Sequence, residues 1–284
     1  TDRLIKAIKE VDDKNHPIVC EFYASPKESV DIPWAIGDLT YSNIGFFGDY
    51  HNVSETLGYI DQRYKGKSFG IGEFGKRTHP LFVDAEWFSH RSTSKEEAMK
   101  HFFQIFNTTL SMGGNHLLTW CNRDESKYTF PWGFSFALDN VPRDIYYWMR
   151  NCNLFCRQFE PVYRGAEVGI ILPDNTRQSA GHKPFDGHHA ALRAISILQY
   201  LNVGNILTLN ECDLMIDPRL KVLFYPIAYN PGNEVYNSIK EWVKNGGVLY
   251  FSGDISYDQF RQRSFPERLE ELAGVRVLSM NYYG

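Results

Sequence analysis

The sequence predicts an α/β protein in two parts: half of a (β/α)8 TIM barrel over residues 1-160, then a doubly wound, flavodoxin-like domain over residues 161-284. Three observations predict it. Apolar runs of strand length alternate with segments of helical periodicity, and strands separated by crossover connections pair in parallel. Four such units precede residue 160, and four units are half of an eight-stranded barrel. After Arg157 the composition changes, with Pro161, Arg164 and Gly165 forming a linker before a second alternating pattern. An open doubly wound sheet in the first part would call for a Gly-rich phosphate loop, and neither GxGxxG nor GxxxxGK occurs.

The elements follow in order. Leu4, Ile5, Ile8 and Val11 recur at helical spacing, so Thr1 to Lys14 reads as an amphipathic helix. Ile18 to Tyr23 and Asn43 to Asp49 are apolar runs of strand length, and Glu55 to Tyr64 reads as a helix. Lys67 to Gly75, KSFGIGEFG, is the third strand, and its glycines let a backbone or ligand come close. Ser92 to Met112 is a helix with Ser94 and Glu97 as a capping box and Gly113-Gly114 as its stop. His116 to Trp120 is the fourth strand, a polar and aromatic loop runs to Val141, and Asp144 to Phe159 is a helix. A half barrel leaves its inward side chains and two sheet edges open, so four further units are expected upstream. The second part reads as strand Ala166 to Pro173, helix His188 to Leu201, strands Asn205 to Leu209 and Lys221 to Pro226, and helix Glu234 to Lys244. Strand Val248 to Ser252, a helix over Pro266 to Leu272 and strand Arg276 to Leu278 complete it.

Composition narrows the function. The formal net charge is -4 with no basic stripe, which argues against nucleic acid and anionic membrane surfaces as partners. No apolar run reaches the length of a membrane span. Five cysteines, with no CxxC pairs, argue against a disulfide framework or a structural zinc site and favour a cytoplasmic compartment. Cys152 and Cys156, one helical turn apart, read as packing residues. Aromatics make up 15 % of the chain, a content that suits sugar-binding clefts.

Glu73 ends the third strand, and a strand–helix barrel places its chemistry at the carboxyl ends of its strands. It is therefore a candidate catalyst; the alternative is a surface turn in which it pairs with Lys76 or Arg77. Asp49, Tyr50 and His51, at the tip of the second strand, are candidates to bind substrate or hold the nucleophile ionised, or else simply line a loop. Trp120 offers a flat ring to a sugar's C–H face, and Trp132 and Trp34 lie in loops that could shape further subsites. The run Gly181 to His189 has three histidines and an Asp without a recognised ligand spacing, and no metal or other cofactor is expected.

These motifs resemble known families. GIGEFG with Glu73 and LLTW with Trp120 resemble the seventh and eighth strands of clan A retaining glycoside hydrolases, which makes this the C-terminal half of the barrel. VGIILPD, VLFYPIAYN, IKEWVKNGGVLYFSGD and LEELAGVRVL resemble, in order and spacing, the trimerisation domain of family 42 beta-galactosidases, a domain like class I glutamine amidotransferases. The resemblance implies a retaining glycosidase, beta-galactosidase-like, acting on a beta-glycoside, with Glu73 as nucleophile, a carbohydrate as substrate and a homo-oligomer, of which a trimer is one form, assembled through the second domain. In clan A an Asn-Glu supplies the acid/base, and none precedes the first strand here, so that carboxyl is expected outside the chain. Glu21 is the one in-chain substitute on a barrel strand. The zinc-binding cysteine cluster of many family 42 enzymes is absent. An amidotransferase-type enzyme would require a nucleophilic Cys after the strand Lys221 to Pro226, where Ile227-Ala228-Tyr229 stands. A non-catalytic carbohydrate-binding or scaffold protein is the third reading.

Overall fold

The computed structural model describes residues 2–16, 18–22, 41–46, 57–58, 61, 68–74, 95–119, 122–123, 133–136, 139–159, 162, 165–173, 186–203, 205–211, 214–258 and 260–278. The chain divides into two compact units that meet in sequence between Arg164 and Gly165. Gly58 and Asp61, which precede that point by a hundred residues or so, belong to the second unit.

The first unit opens with α1 (Asp2–Val11) and carries β1 (Val19–Phe22), β2 (Tyr41–Phe46), β3 (Ser68–Phe74) and β4 (His116–Thr119). They form one sheet in the order β1-β2-β3-β4, parallel throughout. Chain order without reversal is the order of successive barrel strands. Helix α2 (Lys95–Ser111) precedes β4, and α3 (Asp144–Gln158) follows it. Phe69 and Ile71 of β3 are buried, as are Phe102 and Ile105 of α2. Trp148 of α3 meets Phe102, Phe103 and Phe106 edge-on at 5.9–6.3 Å between ring centroids, which ties the two helices together. Helix α2 stops where Gly113 takes a φ of +88° and the Gly114 N–H donates to the Thr109 carbonyl at 2.8 Å.

The second unit runs β5 (Val168–Leu172), α4 (Asp186–Tyr200), β6 (Ile206–Asn210), β7 (Val222–Tyr225), α5 (Asn233–Lys244), β8 (Val248–Phe251) and α6 (Glu267–Ala273). Its parallel sheet has the order β6-β5-β7-β8. The core joins Leu223 and Tyr225 of β7 to Tyr236 and Ile239 of α5 and Leu269 of α6. Arg268, 3 % exposed, fastens α6 to the start of α5. Its guanidinium donates to the Pro231 carbonyl at 2.8 Å and to Asn233 Oδ1 at 2.5 Å, and lies over the Phe265 and Tyr236 rings at 4.0 and 4.7 Å.

Five expectations meet a different outcome or lie outside the described residues. Residues 276–278 form no strand; Leu278 is 89 % exposed and only Val277 packs on the core, so alternation there lacks a ladder to join. Cys152 is buried but Cys156 is exposed, because α3 turns only the first toward the core. In α1 only Ile5 is buried, while Leu4, Ile8 and Val11 are exposed among the described residues. The helix expected over 55–64 lies largely outside the described residues, as do Ser94 and the side chain of Glu97.

Candidate active site

Glu73 lies at the carboxyl end of β3, one residue from its last, Phe74. The backbone register fixes its level. Phe46 of β2 pairs with Phe74, and Phe74 with Thr119 of β4, so three strands end in one row. Glu73 stands beside Gly45, one position below that row.

The register also shows a feature that periodicity cannot reveal. Between Asn43↔Gly70 and Gly45↔Glu73, β2 advances two residues and β3 advances three. Between Ile71↔Leu117 and Phe74↔Thr119, β4 again advances two and β3 three. One extra residue is therefore accommodated in β3 near Gly72 and Glu73, against both neighbours. Such bulges re-aim the side chains they carry and are frequent beside active sites. Below the bulge, Gly70 lies so close to β4 that a Cβ there would run into the His116 carbonyl and ring. Glycine at that position permits the close pairing of the strand that carries Glu73.

The remaining candidates fall differently. Asp49, Tyr50, His51, Trp120, Trp132 and Trp34 lie outside the described residues. In sequence, Trp120 directly follows Thr119, and Asp49 stands three positions after Phe46. Glu21 pairs with Asn43, which pairs with Gly70, so it sits two rows short of Gly45 and Glu73. Two rows and two strands separate the Glu21 and Glu73 backbones by roughly 12 Å. Gly181 to Phe185 also lie outside the described residues, while His188 and His189 fall in the first turn of α4. Among the described residues no group of three His, Cys, Asp or Glu could hold a metal ion. His116, whose pKa burial lowers, shares a 2.7 Å hydrogen bond with Asn115 Oδ1 at the amino end of β4, away from this row.

In the second unit, the chain reverses direction across the sheet between β5 and β7, where doubly wound folds bind ligands. There the buried Tyr225 hydroxyl donates to Glu211 Oε1 at 2.6 Å. Ile227 takes a φ of +49°, unusual for a β-branched residue, and its N–H donates to Ser252 Oγ at 2.8 Å. The tight turn after β7 is thus present, with an apolar side chain where an amidotransferase-type enzyme would need a thiol.

No family model and no curated protein matches the chain. Solved structures do. A beta-galactosidase from the Antarctic haloarchaeon Halorubrum lacusprofundi matches with a TM-score of 0.72 at 14 % identity over 95 % of this chain and 43 % of its own. The beta-galactosidase of the psychrophilic Marinomonas ef1 matches with a TM-score of 0.70 at 12 % identity, over 98 % of this chain and 46 % of its own. The exo-beta-1,4-mannosidase Op5Man5 of Opitutaceae bacterium strain TAV5 matches with a TM-score of 0.65 at 16 % identity, over 97 % of this chain and 52 % of its own. The chain has the fold of these glycoside hydrolases and spans about half the length of each, or less.

Proposed function

We propose that this chain is the C-terminal half of the barrel of a retaining glycoside hydrolase, beta-galactosidase-like, together with a flavodoxin-like domain of the amidotransferase-like, self-associating kind. The observation that carries the reading is the position of Glu73. It stands on a bulge at the carboxyl end of a parallel strand, in a chain whose fold follows glycosidases across both units. The order β6-β5-β7-β8, second-first-third-fourth within its unit, supports the flavodoxin-like assignment.

The chemistry needs two carboxyl groups about 5 Å apart. The Glu73 carboxylate attacks the anomeric carbon as the glycosidic C–O bond breaks, and the departing oxygen takes its proton from an acid/base carboxyl contributed from outside this chain. That same carboxyl, now ionised, removes a proton from water, which cleaves the glycosyl ester on Glu73 and restores the acid. Trp120 and Trp132 offer stacking surfaces for the sugar, and Asp49, Tyr50 and His51 hydrogen-bond it or the nucleophile.

The test is Glu73→Gln in the full-length polypeptide, assayed on an aryl beta-galactoside. Shape is kept and the attacking charge is lost, so the expected result is a normal melting temperature with turnover down by several orders of magnitude. Wild-type turnover would overturn the assignment. Sedimentation of the full-length protein as a monomer at micromolar concentration would overturn the self-association.

A further inference from the structure

Gly58 and Asp61 stand between β2 and β3 in sequence, yet both belong to the second unit. The Gly58 carbonyl accepts a hydrogen bond from the Thr208 hydroxyl, on β6, and another from the Asp61 N–H at 3.4 Å. A Cβ on residue 58 would come 2.6 Å from Cδ1 and 3.3 Å from Cγ2 of Ile195, on α4. The backbone at Gly58 therefore lies against α4 at a separation that a larger residue could not keep without displacing Ile195. Ile195, Thr208 and Asp61 are 1 %, 2 % and 2 % exposed.

The place of β6 makes this informative. It is the outer strand of its sheet, and an outer strand ordinarily leaves much of itself to water. All five of its residues are nevertheless buried. Thr208 is a polar residue among apolar ones there, and burying its hydroxyl without an acceptor would cost about 1–3 kcal/mol. The acceptor comes from the first part of the chain.

We propose that α4 and β6 form a built-in docking surface whose occupant is this chain's own stretch around Gly58 to Asp61. The second unit is completed by a segment lent from between β2 and β3, and seven residues after Asp61 the sequence reaches Ser68, the first residue of β3, the strand that carries Glu73. Thr208 and Ile195 act as positioning residues for the segment. This inference does not depend on the glycosidase reading.

The test uses the whole chain and three variants: Thr208→Val, Gly58→Val, and Gly58→Val combined with Ile195→Ala. Trypsin sites at Arg63, Lys65 and Lys67 follow the docked residues, so cleavage there, mapped by mass spectrometry, reads release of the segment. Hydrogen exchange over 57–61 reads it independently. Thr208→Val keeps side-chain shape and is expected to raise both by about tenfold, the equivalent of one net hydrogen bond of roughly 1.4 kcal/mol. Gly58→Val should release the segment further, and Ile195→Ala, by making room, should partly restore it. Three results would overturn the proposal: wild-type cleavage as fast as in a free peptide of the same sequence, no response to Thr208→Val, or additive effects of Gly58→Val and Ile195→Ala. Should Gly58→Val fail to fold, Thr208→Val alone decides.

Discussion

Replacing Gly70 by Ala tests the close pairing beneath the candidate nucleophile. Substituting a strand glycine ordinarily gains about 0.4–1 kcal/mol by restricting the unfolded chain. Here the new Cβ would collide with the carbonyl oxygen of His116 and approach Cγ and Nδ1 of its ring at 2.7 Å. The carbonyl belongs to the residue that pairs with Gly70, so it can yield only if β3 and β4 separate. Overpacking of this kind costs about 1–3 kcal/mol, and the lost ladder contacts add to it, for a net loss of about 2 kcal/mol. That corresponds to roughly thirtyfold more frequent opening. Hydrogen exchange read on peptides covering β3 and β4 should rise by about that factor, with β5 to β8 as an internal reference that stays unchanged. Gly232→Ala, where a Cβ meets nothing within 4 Å, is the control and should leave β3 and β4 untouched. Equal or slower exchange in β4 after Gly70→Ala would refute the reasoning.

Other outcomes follow from the same structure. Arg268→Met should destabilise the second unit by about 2–4 kcal/mol in urea titration, because two hydrogen bonds from a buried cation and its ring contacts are lost; a change under 0.5 kcal/mol would contradict the clamp. Glu271 beside Lys240 and Tyr236, Asp217 beside Arg219, and Asp258 beside Ser264 and the Gln262 N–H all titrate below the ordinary carboxylate value. A lowered folded pKa gives stability that is present above the unfolded pKa of about 4 and is lost as pH falls through the folded value, so these three carboxylates leave melting temperature unchanged from pH 7 to 5 and lower it below about 4, while His116, its pKa lowered by burial, lowers it as pH falls below about 6.5. A rise in melting temperature on acidification would be the opposite sign. Burial, with Cys156 nearby, pushes the Cys152 thiol up to about 11, so iodoacetamide at pH 8 should alkylate exposed Cys156 well before Cys152 in the native protein, as read by peptide mass spectrometry. Equal rates at the two sites would mean that α3 does not bury Cys152.

The sequence carried much of this fold because most elements announce themselves by one periodicity and one stop. SFGIGEF falls within the run chosen from its glycines and apolar residues, and α2 ends at the Gly113-Gly114 pair that marks it. The boundaries of β5 to β8 each lie within two residues of their apolar runs. What escaped depends on relations between distant residues. The extra residue near Glu73 exists only relative to β2 and β4, so no pattern within β3 could display it. Gly58 looks like any glycine in a helical stretch until Thr208 and Ile195 are placed beside it. The Arg276 to Leu278 alternation was misleading because two or three apolar residues suit a strand equally well with or without a neighbour to pair with. Ile227 gave no signal at all, since a β-branched residue at positive φ is contrary to local preference.

Covalent trapping tests most directly whether Glu73 is the attacking group. A 2-deoxy-2-fluoro galactoside with a good leaving group forms a glycosyl-enzyme slow to hydrolyse, and digestion followed by mass spectrometry locates the ester. In the full-length polypeptide the label is expected within the β3 peptide, on Glu73, with any hydrolytic activity lost in proportion to labelling. A label on another carboxylate such as Glu21, or inactivation without any label in β3, would contradict it.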